Sequence, residues 1–197
     1  MPRASRQHSV LDPPLTVDEY FRLIEAGEID EDAPVELWEG RVVEKVSKGP
    51  SHQASLTKLM RLLFRLVPEG WFPTQESPLA IGVNKVPEPD AMVVRGRVDD
   101  FSRRPPSGKD VALVVEVSAS SLERDLGPKQ TAYAAEGIPV YWVVNLVDRR
   151  IDVHSNPTPR GKVAKYDTVQ IFQENDAVPI VLDGVEVGRI VVSDVLA

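Results

Sequence analysis

The sequence predicts an α/β fold in which one mixed β-sheet is flanked by α-helices. Three observations carry that expectation. Residues 111–117 (VALVVEV) form a nearly continuous apolar run, the mark of a strand buried on both faces in the middle of a sheet. Leu56, Leu59, Met60, Leu63, Leu66 and Val67 recur at helical spacing and give a long helix one apolar stripe. The order of elements, with helices between extended segments and short turns late in the chain, argues for a single sheet with helices packed against it.

Taken in order, residues 1–14 are polar and proline-containing and read as a flexible tail, with one domain over 15–197. Thr16 and Glu19 make a capping box, and Val17, Tyr20, Phe21 and Ile24 form a helical stripe that stops at Gly27. Residues 35–46 (VELWEGRVVEKV) read as two short strands about a Glu39-Gly40 turn. The long helix begins near Ser51, stops at Gly70, and leaves Lys58, Arg61 and Arg65 off its apolar stripe. Extended pieces follow at 71–74 and 79–83, then a strand over 89–94 that opens on a proline. Gly96, Pro105, Pro106 and Gly108 make 95–109 a long loop. After the 111–117 strand and a polar turn over 120–127, Pro128 suits the first position of a helix, with Asp125 as a cap, Gly137 as the stop and Pro139 beyond it. Residues 141–144 read as another buried strand, with Tyr141 and Trp142 as core, and 151–154, 163–172 and 178–192 supply further, mostly antiparallel strands.

Composition narrows the chemistry. There is no cysteine, which removes disulfides, thiolate catalysis and cysteine-bound zinc, and His8, His52 and His154 include no i, i+4 pair. Any metal is therefore expected to be a hard cation held by oxygens, Mg2+ or Mn2+. No apolar run approaches the roughly 18 residues a bilayer span needs, and the N-terminus has no apolar signal core, so a cytoplasmic protein with no membrane partner is expected. The net charge of −7 is the wrong sign for non-specific binding to phosphates. Arg95, Arg97, Arg103, Arg104 and Lys109, against Asp99 and Asp100, offer either a local basic loop or a plain solvated one.

Two carboxylates stand where apolar residues would be expected. Glu116 lies inside the buried run and Asp90 at the head of an apolar strand. A buried, unpaired carboxylate costs several kcal/mol or loses its charge, so each needs a cation, a strong donor set or a place at the strand's exposed end. A divalent cation between them meets that need and can polarise a phosphate and activate a water. Lys129, on the helix after the strand of Glu116, is placed to hold that water or to neutralise developing charge, with the helix N-terminus adding its dipole.

This pattern resembles the PD-(D/E)xK nuclease superfamily. Pro89-Asp90 looks like its first element and Glu116-Val117-Ser118 like its second, with Ser118 where the lysine is expected. More specifically, the chain resembles the Uma-two family of restriction-endonuclease-like proteins, in which the lysine has moved to the following helix. Glu116-Val-Ser-Ala-Ser-Ser, Asp125-Leu-Gly-Pro-Lys129, Tyr133, Gly137-Ile-Pro and residues 141–145 carry the resemblance, together with residues 36–40 and Ser51-His52-Gln53. It spans about residues 15–156; Pro128 and Asn145 depart from it where acids are expected.

The resemblance implies a restriction-endonuclease-like mixed sheet and a Mg2+- or Mn2+-dependent endonuclease acting on DNA. It implies Asp90, Glu116 and the Val117 carbonyl as metal ligands, Lys129 as the catalytic lysine and Glu36 as a further catalytic acid, with His52 and Tyr133 at the substrate. Tyr133 also reads as packing its ring or steadying Lys129, and Ser118 as tolerant of substitution. Double-strand cleavage by a single-site enzyme needs two sites, so a homodimer is expected. Two other readings stay open: a non-catalytic nucleic-acid-binding or assembly module on a nuclease scaffold, and a metal-dependent hydrolase of another phosphate ester.

Overall fold

Side-chain capping and turn chemistry set the first elements. In the computed structural model, which describes residues 13–159 and 163–197, Thr16 accepts from the Glu19 N–H while the Glu19 carboxylate accepts from the Thr16 N–H, starting helix α1 (Val17–Glu25). Strands β1 (Val35–Trp38) and β2 (Arg41–Glu44) pair antiparallel about Glu39 and Gly40, at φ 51° and 77°. Two successive positive φ values match the right-handed twist of a hairpin. A Cβ on Gly40 would also lie 2.3 Å from Pro14 Cβ, so only glycine fits. Of the expected tail over 1–14, residues 1–12 lie outside the described residues.

Helix α2 (Pro50–Leu66) has proline in its first turn and buries Leu56, Leu59, Met60 and Leu63, the stripe its spacing predicts. A six-stranded mixed sheet follows in the order β3 (Trp71–Gln75), β4 (Ala91–Arg95), β5 (Val111–Ser118), β6 (Val140–Asn145), β7 (Arg150–Thr158) and β8 (Lys165–Gln173). All neighbours are antiparallel except β5 and β6, whose parallel pairing needs a helical crossover. The crossover runs through α3 (Leu122–Arg124), a single π turn (Asp125–Lys129) and α4 (Gln130–Ala135). Strands β9 (Ala177–Leu182) and β10 (Val185–Val191) form a separate hairpin, and α5 (Val192–Val195) is the last element among the described residues.

Apolar residues of alternating parity feed two cores. Leu113, Val115 and Val117 face α2, α5 and the β9–β10 hairpin; Met92, Val94, Val114 and Val143 face α4, with Tyr133, Ala134 and Ile138. The expected mixed sheet with flanking helices is therefore the architecture found. No helix among the described residues is long and apolar enough to cross a membrane.

Three local expectations change. The crossover helix begins at Leu122, not Pro128, so Lys129 lies two turns inside it and receives nothing from a helix N-terminus. Pro128 has no N–H to give to the preceding turn, and the helix widens there to a π turn instead of starting there. The stretch 178–192 splits at Asp183-Gly184, with φ 48° and 80°, another hairpin turn. The loop 95–109 contains two short 3-10 turns, and three of its four arginines are engaged: Arg95 with Asp183, Arg97 with Asp99, Arg104 with Asp110. It joins the end of β4 to the start of β5, whereas Asp90 and Glu116 lie toward the opposite ends of those strands. The basic loop therefore does not border the acids, and the solvated-loop alternative is the one that describes it.

Candidate active site

The site forms where the sheet opens. The ladder between β4 and β5 ends at Ala91 opposite Val115, so Val117 has no backbone partner on that side. Asp90, one residue before β4, fills the gap: its Oδ2 accepts the Val117 N–H at 2.7 Å. In a strand the N–H and C=O of one residue project to the same edge, so the Val117 carbonyl faces the same opening. Alternation then sets the side chains, since Asp90 shares parity with Met92 and Val94, and Glu116 with Val114, on the face covered by the crossover helix.

Each acid is buried and carries its own cation. Asp90 is 3 % exposed; Lys48 Nζ lies 2.6 Å from its Oδ1 and His52 Nε2 3.0 Å from its Oδ2. Burial alone would raise this carboxyl, but the His52 hydrogen bond and the Lys48 charge outweigh it and hold it below the usual carboxylate range. Burial likewise opposes the Lys48 charge, yet Asp90 and Glu76, the latter 2.8 Å away, raise its ammonium above the ordinary value.

Glu116 is 3 % exposed, and its Oε1 accepts from Lys129 Nζ at 2.8 Å and from the Tyr133 hydroxyl at 2.7 Å. Burial pushes its carboxyl up, to about 8, against the pull of Lys129 and with a further push from Asp90 and Asp125. Burial works against the Lys129 charge too, but Glu116, Asp125 and Glu36 together raise the ammonium and keep it protonated. Burial also drives the Tyr133 phenol well above its usual value, so it serves only as a donor.

Glu36 sits on β1, 2 % exposed, in an ion pair with Arg124, whose guanidinium also lies 5.4 Å from the Trp38 ring centroid. Asp125 is equally buried. Its Oδ2 accepts from the Ser118 and Ser121 hydroxyls, both at 2.6 Å, and its Oδ1 lies 3.6 Å from Lys129 Nζ.

The structure thus places Asp90, Glu116, Lys129, Glu36, His52 and Val117 around one cleft. Tyr133 is the exception: it is fully buried behind Glu116 and does not line the cleft, so the expected contact with substrate is replaced by a hydrogen bond to an acid. Asp125 is not a helix cap, because the helix starts before it. Sequence reasoning missed Lys48, Arg124, Asp125 and the engagement of Ser118. A lysine and glycine just ahead of a helix that carries a histidine in its first turn was the only local signal for Lys48.

Charge around the cleft is closely balanced. Every basic side chain on its lining is already paired with an acid: Lys45 with Glu88, Lys48 with Asp90 and Glu76, Arg124 with Glu36, Lys129 with Glu116. Among the described residues no three His, Asp or Glu side chains converge into a closed metal cage. The donors offered are two carboxylates and the Val117 carbonyl, an oxygen set open to water and suited to a hard cation. A divalent cation also fits the electrostatics, since Glu116 is an acid whose charge burial disfavours and Lys129 only partly restores.

A solved structure titled as a putative nuclease belonging to DUF820 from Anabaena variabilis is similar in fold, with a TM-score of 0.65 and 16 % identity over 92 % of this chain and 97 % of that one. No curated protein matches the chain. The family model named Uma2, described as "Putative restriction endonuclease", matches residues 17–190. Spanning most of the chain, that match identifies it as a member of the Uma2 family.

Proposed function

We propose that this protein is a metal-dependent endonuclease that hydrolyses phosphodiester bonds in DNA, working as a homodimer with Mg2+ or Mn2+. The observation that carries the reading is the meeting of Asp90 and Glu116 at the mouth of one sheet gap, beside the Val117 carbonyl and with Lys129 on Glu116. Asp90, Glu116 and the Val117 carbonyl would hold the cation. When bound, it would polarise the scissile phosphate and lower the pKa of an attacking water.

The chain's own residues do the rest. His52 and the Val117 N–H fix Asp90 in orientation, and Tyr133 fixes Glu116 from behind. Lys129, kept protonated by its acidic neighbours, stands where an ammonium orients the water and neutralises charge growing on the phosphate. A cation at Asp90 would release Lys48, also on the cleft lining, toward a flanking phosphate. The bound cation would supply the positive charge toward phosphate that neither the net charge of −7 nor the balanced cleft provides.

The test is cleavage of supercoiled and linear DNA, with RNA in parallel, in Mg2+, Mn2+ or EDTA. Wild type is expected to cut DNA only with metal, and Asp90→Asn and Lys129→Met to lose about 10²-fold or more. Cutting in EDTA, or undiminished cutting by Asp90→Asn, overturns the reading. Binding of DNA without cleavage in either metal favours the non-catalytic module instead.

A further inference from the structure

Asp125 has no part in the mechanism above, yet it is among the most completely buried charged groups in the molecule, at 1 % exposed. Its two oxygens are treated differently. Oδ2 accepts two hydroxyls, from Ser118 at the end of β5 and from Ser121 one turn ahead, both at 2.6 Å. Oδ1 is buried and has no hydrogen-bond partner. A buried carboxylate oxygen without a donor is costly, and structures rarely leave one so without cause.

Lys129 Nζ lies 3.6 Å from it, too far for a hydrogen bond but one small side-chain movement away. The ammonium carries three protons, and its hydrogen bond to a carboxylate goes to Glu116 Oε1. Asp125 is thus held rigid by two serines, with its free oxygen aimed at a cation bound to a neighbouring acid. The π turn contributes to this, since it contains both residues and sets their spacing. Ser118, at the position where the wider nuclease pattern has its lysine, here secures the acid that faces the displaced lysine.

Resting on the metal-site reading above, we propose that Asp125 is a positioning residue, a second berth that takes the Lys129 ammonium from Glu116 when Glu116 turns its oxygens to a divalent cation. The hand-over keeps Lys129 charged and in the cleft, and it spares Glu116 from serving lysine and cation together. Ser118 and Ser121 hold the berth in place. Without it, Lys129 competes with the cation for Glu116.

The test is Mn2+ binding to the full chain by titration calorimetry, a readout independent of cleavage. Asp125→Asn is expected to weaken Mn2+ binding on the order of tenfold, within the range seen when a group behind the metal's own ligands is lost, and Ser118→Ala several-fold. Ser118→Ala changes no charge, so it separates positioning from simple attraction. In a Lys129→Met background it is expected to have no effect on Mn2+ affinity, because nothing remains to be handed over. An equal loss with and without Lys129, or wild-type affinity in both single variants, overturns the proposal. A crystal structure of the wild type with Mn2+ needs no variant: Nζ within about 3.2 Å of Asp125 Oδ1 supports the hand-over, and Nζ still bonded to Glu116 alone overturns it. Failure of the metal-site reading looks different, since wild type would then bind no Mn2+, or Asp90→Asn would bind it as well as wild type, and both proposals fall.

Discussion

Lys48 reaches from the segment ahead of α2 to place its ammonium 2.6 Å from Oδ1 of Asp90, with helix α2 and strand β3 between them in sequence. With His52 and the Val117 N–H on Oδ2, both oxygens of this buried carboxylate are taken. On the proposed metal-site reading, Lys48 occupies the position the cation would use at Asp90, and the two would compete. Lys48→Met is expected to destabilise the metal-free protein by about 1–3 kcal/mol in urea denaturation, because Asp90 stays buried with one charge partner fewer. The same variant is expected to gain more thermal stability from Mn2+ than wild type does, measured as the shift in melting temperature at matched metal concentrations.

Arg124 and Glu36 tie the crossover helix to the β1–β2 hairpin. Glu36 is 2 % exposed, so Arg124→Ala strands a buried carboxylate and is expected to cost about 3 kcal/mol. Arg124→Ala combined with Glu36→Gln should recover much of that loss. Equal stability of the single and double variants would show that the pair contributes little.

Tyr133→Phe separates two roles for one ring. The phenol reaches Glu116 Oε1 and no part of the cleft. Removing it should lower stability by about 1 kcal/mol and slow cleavage, while leaving DNA affinity in Ca2+ unchanged. A weakened DNA affinity would put Tyr133 back at the substrate, where the family resemblance places it.

A pH test lies away from the site, at Asp110. It accepts from the Arg104 guanidinium at 2.8 Å and from the Ser107 hydroxyl and N–H at 2.7 and 2.9 Å. Burial pushes its carboxyl up, but these donors prevail and lower it to about 2. A carboxyl lowered on folding stabilises the native state above its unfolded value near 4, and that contribution fades as pH falls toward 2. Asp110→Asn is thus expected to cost about 2 kcal/mol at pH 6, with the gap to wild type closing steadily from pH 4 downward in urea titrations.

The amino-acid sequence by itself determined which residues are buried and where the chain turns. The apolar run around Glu116, the α2 stripe and the Glu39-Gly40 turn are local signals, because burial periodicity and positive φ are properties of a few neighbouring residues. The two misplaced carboxylates were legible for the same reason: a charge inside an apolar run needs a partner whatever the fold. Which partner each one finds was decided by tertiary structure. Lys48, His52, Arg124 and Lys129 reach Asp90, Glu36 and Glu116 only because the sheet order opens a gap beyond Ala91 and because the helix starts at Leu122. Pro128 shows the limit most plainly. Its missing N–H permits either a helix start or a widened turn, and packing of the crossover against the sheet selected the π turn that aims Lys129 and Asp125 at each other.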